Sequence, residues 1–411
     1  MKKSSRSQRG FTLVELMISL TLGLFIVLAL VVMLINVNRN NNELSTVNRV
    51  IENGRFSLQL LAADVSHAGY WAGHVPQFDD LTMTVTEIPT DVPTGTPTGT
   101  VTVGDGGVPD PCLAFPSWNA THRNNLVGIA VQGTDVPDPV PTPTTPFCSS
   151  IVTDPQPGTD VVVVRHVEPC LVGTGTDDCA NTLTNPSPHL YFQASRCSTD
   201  ASTYVLDNTT TTFALKAGDC TAEAPIRRFS STIYYVRDHA NQAGDRIPTL
   251  MRARFGVSNT ASAGNLPEFL AAQAVVEGVE GFRVEYGVDD RSDTNATVDL
   301  NALRSSISWA SATVLNTPQN RGDGLPDRYV RCSQAAPCTG DQMVNVTSVK
   351  LYVLVRSEKP SPNYTDTKKY CLASSCSDPA DYLGPFNDRY KRHLFTQTIR
   401  LTNVAMRRET S

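Results

Sequence analysis

Residues 9–35 read RGFTLVELMISLTLGLFIVLALVVMLI, and a single carboxylate, Glu15, stands at the head of the apolar run. From Phe11 to Ile35 there are 25 residues with no other charge. About 20 apolar residues cross a bilayer as a helix, so the stretch is long enough. A carboxylate close to hydrocarbon costs about 3 kcal/mol or more, which makes such residues rare and usually functional. The preceding MKKSSRSQRG carries Lys2, Lys3, Arg6 and Arg9 and no acid. That positive flank stays cytoplasmic and sends everything after Ile35 across the membrane. A secretory signal has a shorter apolar region and ends at a small-residue cleavage site, whereas this run ends in NVNRNNNE; a retained segment is predicted.

Helical patterning continues beyond the membrane. Leu44, Val47, Ile51, Gly54, Leu58, Leu61, Val65 and Ala68 recur three and four apart, a stripe along one face. Gly69 is a natural stop, and the first proline is Pro76. A single helix over 11–68 would be a rod of roughly 87 Å, apolar all round in its first half and along one side in its second. The stripe is the surface that a sheet is expected to cover.

The whole chain has 411 residues, a formal charge of −6 and only 18% charged residues. No Lys/Arg cluster lies outside the first ten residues, which argues against nucleic acid as a partner. The ten cysteines are Cys112, Cys148, Cys170, Cys179, Cys197, Cys220, Cys332, Cys338, Cys371 and Cys376. No CxxC pair occurs among them and the seven histidines are scattered, so a disulfide framework in an oxidising compartment is expected rather than zinc. Ten cysteines allow on the order of a thousand pairings, so connectivity stays open. Short loops such as Cys170/Cys179, Cys332/Cys338 and Cys371/Cys376 are the easiest to close.

Residues 86–148 are dominated by TEIPTDVPTGTPTGTVTVGDGGVPDPC and TDVPDPVPTPTTPFC, and exposed loops are predicted over 76–158. Strand-like segments follow at 160–167, 230–238, 249–256, 281–289, 346–357 and 393–406, several alternating apolar and polar residues as one-sided antiparallel strands do. LPEFLAAQAVVEGV (266–279) reads as a short helix. The expected class is α+β: a long N-terminal helix packed on an antiparallel sheet with large loop insertions. The expected organisation is a leader (1–10), a membrane-spanning helix (11–35), an amphipathic helix (36–69) and an exported β-rich body (70–411).

RGFTLVELMISL resembles the leader and helix start of type IV pilins and pseudopilins. The resemblance implies that a membrane-bound prepilin peptidase cuts between Gly10 and Phe11 and that Phe11 becomes the N-methylated first residue. It also implies that Glu15 partners the Phe11 amine of a neighbouring subunit within the membrane-buried part of an assembly. Each charge alone is costly in low dielectric, and pairing offsets much of that cost. Cleavage would leave 30 Lys+Arg (34 less four) against 40 Asp+Glu, a mature charge near −10. Further along, VIENGRFSLQLLAADVSHAGYWAG, VEGVEGFRVEYGVDD, VKLYVLVRSEKPSPNYTD and YKRHLFTQTIRLTNVAMRRE resemble the PilW family of minor pilins in type IVa pili, well over 1–75 and 226–411 and thinly over 76–225. What the resemblance implies is a structural subunit, anchored in the inner membrane with its body in the periplasm and then carried into the pilus. Implied partners are other minor pilins, the major pilin, the prepilin peptidase, a tip adhesin and, before assembly, membrane lipid. A pseudopilin of a type II secretion system uses the same helix chemistry and is the alternative.

A cofactor is not expected. Asp289, Asp290, Asp293, Asp299, Asp323 and Asp327 form acidic loops whose oxygens can hold Ca²⁺, but the twelve-residue calcium loop's glycine and terminal glutamate are missing, and solvated turns are the preferred reading. Arg321-Gly322-Asp323 beside them is read as turn geometry. There is no GxSxG, HExxH or phosphate-binding glycine loop, so a membrane-anchored enzyme or ligand-binding module is the remote reading.

Overall fold

The computed structural model describes residues 12–74, 107–140, 148–173, 189–197, 199–257, 266–291, 295, 297 and 322–406. The apolar run and the stripe after it form one uninterrupted helix, α1 (Leu13–His67), 55 residues or about 82 Å long. Thr12 caps its start. The helix ends where Gly69 takes φ +75, a conformation that costs a glycine little. Its last carbonyls are also met from outside: Asn403 Nδ2 donates to His67 O and Ala68 O, both at 3.3 Å.

In its second half α1 buries Val50, Gly54, Ser57, Leu58, Leu61 and Val65, one face at three- and four-residue spacing. The expected stripe is thus covered, but from Val50 onward. Leu44 stays exposed on a turn of helix that the body meets through polar contacts: Ser361 Oγ donates to Glu43 Oε2, which also pairs with Lys391. Gly54 lets the backbone approach the Phe395 ring so closely that a Cβ there would lie 2.0 Å from a ring carbon.

Two sheets, not one, receive the helix. The first contains β1 (Val131–Asp135), β2 (Asp160–Val167), β3 (Tyr191–Ala194), β4 (Tyr204–Asp207), β5 (Ile226–Arg237), β6 (Thr249–Val257), β7 (Pro267–Phe269) and β8 (Gln273–Glu277). Its order is β1-β2-β5-β3-β4, with β6 also on β5 and both β7 and β8 on β6. The twelve-residue β5 can serve two partners on one edge: residues 226–228 pair with β3, and 232–237 with β6. The second sheet has the order β10-β9-β11-β14, from β9 (Val279–Val288), β10 (Arg328–Val330), β11 (Val346–Arg356) and β14 (Arg392–Arg400). A two-stranded ribbon joins β12 (Tyr370–Cys371) to β13 (Tyr382–Leu383). All the pairings are antiparallel.

Alternation along β2 and β5 divides the core. Val162, Val164, Tyr234 and Val236 face α1 and the second sheet; Val161, Val163, Ile233 and Tyr235 face a second cluster built around Trp71, Trp118, Phe192 and Phe229. DVVVVRHV is accordingly buried along its whole length, as a strand packed on both faces must be.

Three expectations are corrected. Residues 107–140 are not exposed loop: they contain a 3₁₀ turn (Phe115–Ser117), helix α2 (Ala120–Gly128) and β1, and they bury Phe115, Trp118, Leu126 and Val127. The apolar LAFPSWNATHRNNLVGIAVQG (113–133) between the two Thr/Pro runs supplies that core, which composition averaged over the region concealed. Residues 266–279 form β7, β8 and a turn at Gly278 (φ +84) instead of a helix, because pairing with β6 satisfies their backbone while Phe269 and Val276 are buried. The strand expected over 393–406 stops at Arg400 and ends in a helical turn, Thr402–Ala405, which carries the Asn403 contact to α1.

Candidate functional site

Among the described residues, the leading half of α1 has no part in any core. Its most apolar window has a mean hydropathy of 3.0 and none of it is buried; by length and composition it can cross a membrane. Leu13 is 75% and Phe25 69% exposed, and no charged residue occurs between Glu15 and Arg39. The hydroxyls of Ser19 and Thr21 are satisfied within the helix. Ser19 Oγ donates to Leu16 O at 2.9 Å, and Thr21 Oγ1 to the carbonyls of Met17 and Ile18 at 3.0 and 2.9 Å. Hydroxyls committed in this way carry little penalty in hydrocarbon or against another helix.

Glu15 occupies the third helical position and closes a capping box. Its Oε2 accepts from Thr12 N–H at 3.0 Å and from Thr12 Oγ1–H at 2.8 Å, while Thr12 Oγ1 accepts from Glu15 N–H at 3.3 Å. In the single chain, then, the carboxylate is anchored by its own helix start, and its charge lies beside the positive end of the helix dipole. Gly10 and Phe11, the expected cut site and amine, lie outside the described residues.

The described cysteines are oxidised. Cys112–Cys148, Cys197–Cys220, Cys332–Cys338 and Cys371–Cys376 are disulfides, and Cys170 is bonded as well; Cys179 lies outside the described residues. Two of the short loops singled out from the sequence are therefore closed, and Cys112–Cys148 ties the 107–140 segment to the chain beyond it.

The acidic loops use their carboxylates to build turns. Asp327 Oδ2 accepts from the N–H groups of Asp290 and Arg291 at 2.9 and 2.8 Å, Asp289 Oδ2 from Gly324 N–H at 2.8 Å, and Asp323 Oδ1 from Leu325 N–H at 2.8 Å. Asp290 pairs with Arg328 at 2.6 Å. No group of three or more His, Cys, Asp or Glu side chains is gathered for a metal among the described residues. Asp293, Asp299 and Arg321 lie outside them. Gly322 takes φ +81 against the Asp289 carboxylate, so turn geometry accounts for the glycine of the tripeptide.

Sequence reasoning missed a polar seam between α1 and the first sheet. Asp64 Oδ1 meets His166 Nε2 at 2.8 Å, and Asp64 Oδ2 accepts from the Tyr234 hydroxyl at 2.9 Å. Burial alone would lower the His166 pKa, but the hydrogen bond and charge of Asp64 outweigh it and raise it above the ordinary imidazole value. Burial likewise works against ionised Asp64, and His166 together with the Tyr234 hydroxyl more than offsets it, holding the carboxyl below its ordinary value. The partners are 102 and 170 residues apart in the chain, and no local pattern announces them.

The family model of type IV pilus-assembly protein W matches residues 233–403, from within β5 through the second sheet and the helical turn after β14. The prokaryotic N-terminal methylation motif matches residues 5–31. No curated protein matches the chain. Among solved structures, a type IV-like pilin from Thermus thermophilus is similar at 14% identity, over 61% of this chain and 83% of that one, with a TM-score of 0.23. A likeness of that size adds nothing to the fold, which rests on the elements themselves.

Proposed function

We propose that this type IV pilin-like chain is a minor pilin, a structural subunit that packs the leading half of α1 among the helices of other pilins and helps to start the fibre. The observation that carries this is the exposed apolar half-helix. A body with two well-filled cores leaves one element of some two dozen residues bare, which suits lipid before assembly and like helices after it. The methylation motif over that element and the W-family match over the second sheet support the same reading. The chain's work is thus assembly, with consequences for twitching and adhesion, and its partners are other minor pilins, the major pilin and a tip adhesin. The prepilin peptidase would cut after Gly10 in the inner membrane, leaving the body in the periplasm until extrusion.

The capping box suggests how Glu15 crosses from one environment to the other. In the lone subunit its Oε2 is met by two Thr12 donors. Once the leader is removed, the Phe11 amine of an adjoining subunit gives the same carboxylate a countercharge, which fixes the axial register of two helices. Glu15→Gln separates the two roles, because glutamine keeps the box and loses the charge. The variant is expected to be processed and to remain folded in the membrane while surface fibres fall sharply. Fibres at the ordinary number would refute the pairing.

A pseudopilin of a type II secretion system is the competing reading, since the methylation motif does not distinguish the two machines. A deletion strain scored for both phenotypes separates them. Lost pili with intact secretion supports the minor pilin; intact pili with lost secretion supports the pseudopilin.

A further inference from the structure

We propose that the cleft between the last turns of α1 and the open face of the first sheet binds a small oxyanion, one that presents carboxylate or phosphate groups. The cleft has a volume of about 300 Å³, at the lower end of small-molecule sites. Its floor is made by β2, β5 and β6, and its wall by Leu60, Ala63, Asp64 and His67 of α1.

The charges in the cleft run against those of the molecule. In a chain of net charge −6, Arg252 and Arg254 sit at alternate positions of β6, so both project from one face, with Arg228 of β5 also lining the space. Their cross-strand neighbours are Tyr234 and Thr232 on β5 and, for Arg252, Gln273 on β8, none of which supplies a carboxylate. No ion pair engages Arg252 or Arg254 among the described residues, and Arg252 Nε is buried without a hydrogen-bond partner. Two guanidiniums side by side on one strand face repel each other, and Arg252 is also partly withdrawn from water, a cost that an anion lying between them removes.

The acid deepest in the cleft does not serve that purpose. Both oxygens of Asp64 are committed, one to His166 and the other to Tyr234. Among the described residues, Glu168 is the only other carboxylate lining the space. The hydroxyl of Ser230 also lines the floor and can donate to a bound oxyanion, whereas that of Thr232 is engaged by Asp64. Planar guanidiniums with a hydroxyl beside them suit the paired oxygens of a carboxylate or phosphate, and arginine binds either bidentately. The site lies at the opposite end of α1 from the leading half that packs in assembly, and it does not depend on the proposed function.

The test is calorimetric titration of the full-length chain in uncharged detergent, at fixed ionic strength, with citrate in one arm and inorganic phosphate in the other. Saturable binding is expected in at least one arm. Citrate alone points to a polycarboxylate, phosphate alone to a phosphate ester, and both to a general oxyanion site; each supports the proposal. Affinity should fall at least tenfold in Arg252→Gln and in Arg254→Gln, and should be unchanged in Arg49→Gln, which lies on the exposed side of α1 and pairs with Glu358. Arg254 is exposed, so its variant keeps the fold and decides the matter even where Arg252→Gln does not fold. No saturable heat in either arm, or binding of undiminished affinity in Arg254→Gln, overturns the proposal.

Discussion

Replacing Gly54 by alanine tests the seam between α1 and the second sheet at its tightest point. A Cβ built on Gly54 lies 2.0, 2.3 and 2.4 Å from Cε2, Cδ2 and Cζ of Phe395, whereas carbons rest at roughly 3.5–4.0 Å. The ring must therefore retreat by about 1.5 Å or swing outward. At an unconstrained helix interior, Gly→Ala gains ~1 kcal/mol from propensity alone. Overpacking a filled site costs about 1–3 kcal/mol, and uncovering a phenyl ring forfeits a comparable amount. Phe395 is already half-exposed and can give way in part, so the net expectation is a loss of about 1 kcal/mol. The informative measurement is a double-mutant cycle by denaturant unfolding of the full-length chain. In a Phe395→Leu background the obstruction is gone, and Gly54→Ala should stabilise by ~1 kcal/mol, a coupling of roughly 2 kcal/mol. Equal stabilisation in both backgrounds would refute the close packing of helix and ring.

Arg392→Met should cost about 3–5 kcal/mol, read as a lower denaturant midpoint, because the fully buried guanidinium holds Glu280, Asp366 and Asp388 at 2.5, 3.0 and 2.6 Å; a loss below about 1 kcal/mol would show the cluster to be dispensable. The Asp64–His166 seam should make stability depend on pH in both directions. The raised His166 pKa gives a contribution that is full below pH 6.5 and lost as pH rises through the folded-state value, while the lowered Asp64 pKa gives one that is full above 3.8 and lost as pH falls through its folded-state value. Melting curves of the parent chain and His166→Gln should therefore converge on the alkaline side, and a difference constant from pH 5 to 9 would dispose of the pairing. Gly10→Ala should leave an uncleaved precursor visible on a gel, whereas normal cleavage would move the assigned cut site.

How far the fold could be read from sequence varied with the range of the forces involved. Helix α1 was legible because its signals are local: an unbroken apolar run, a three-and-four stripe and a glycine at the stop. DVVVVRHV was legible as a strand for the same reason, and its burial on both faces is what the structure adds. Residues 266–279 were misread because alanine and leucine favour helix only weakly, and the pairing of β8 with β6 overrode that preference. The division into two sheets had no local signature; it depends on β5 pairing with β2, β3 and β6 from distant parts of the chain. Glu15 stood out in the sequence because a charge in an apolar run is conspicuous. Asp64, Arg252 and Arg254 did not, since each is one polar residue among many until the sheet and helix bring them together.

The grip of the body on α1 has a mechanical consequence. Polar contacts are spaced along the helix from Arg39, which donates to Pro362 O, through Glu43, Arg49 and Asn53 to Asp64. Those attachments span about 38 Å of helix, with the buried apolar face running beneath much of them. Tension applied along α1 therefore reaches the body as shear shared by many bonds at once, so that the head resists detachment far better than it would if it hung from a single turn and could be peeled away one contact at a time.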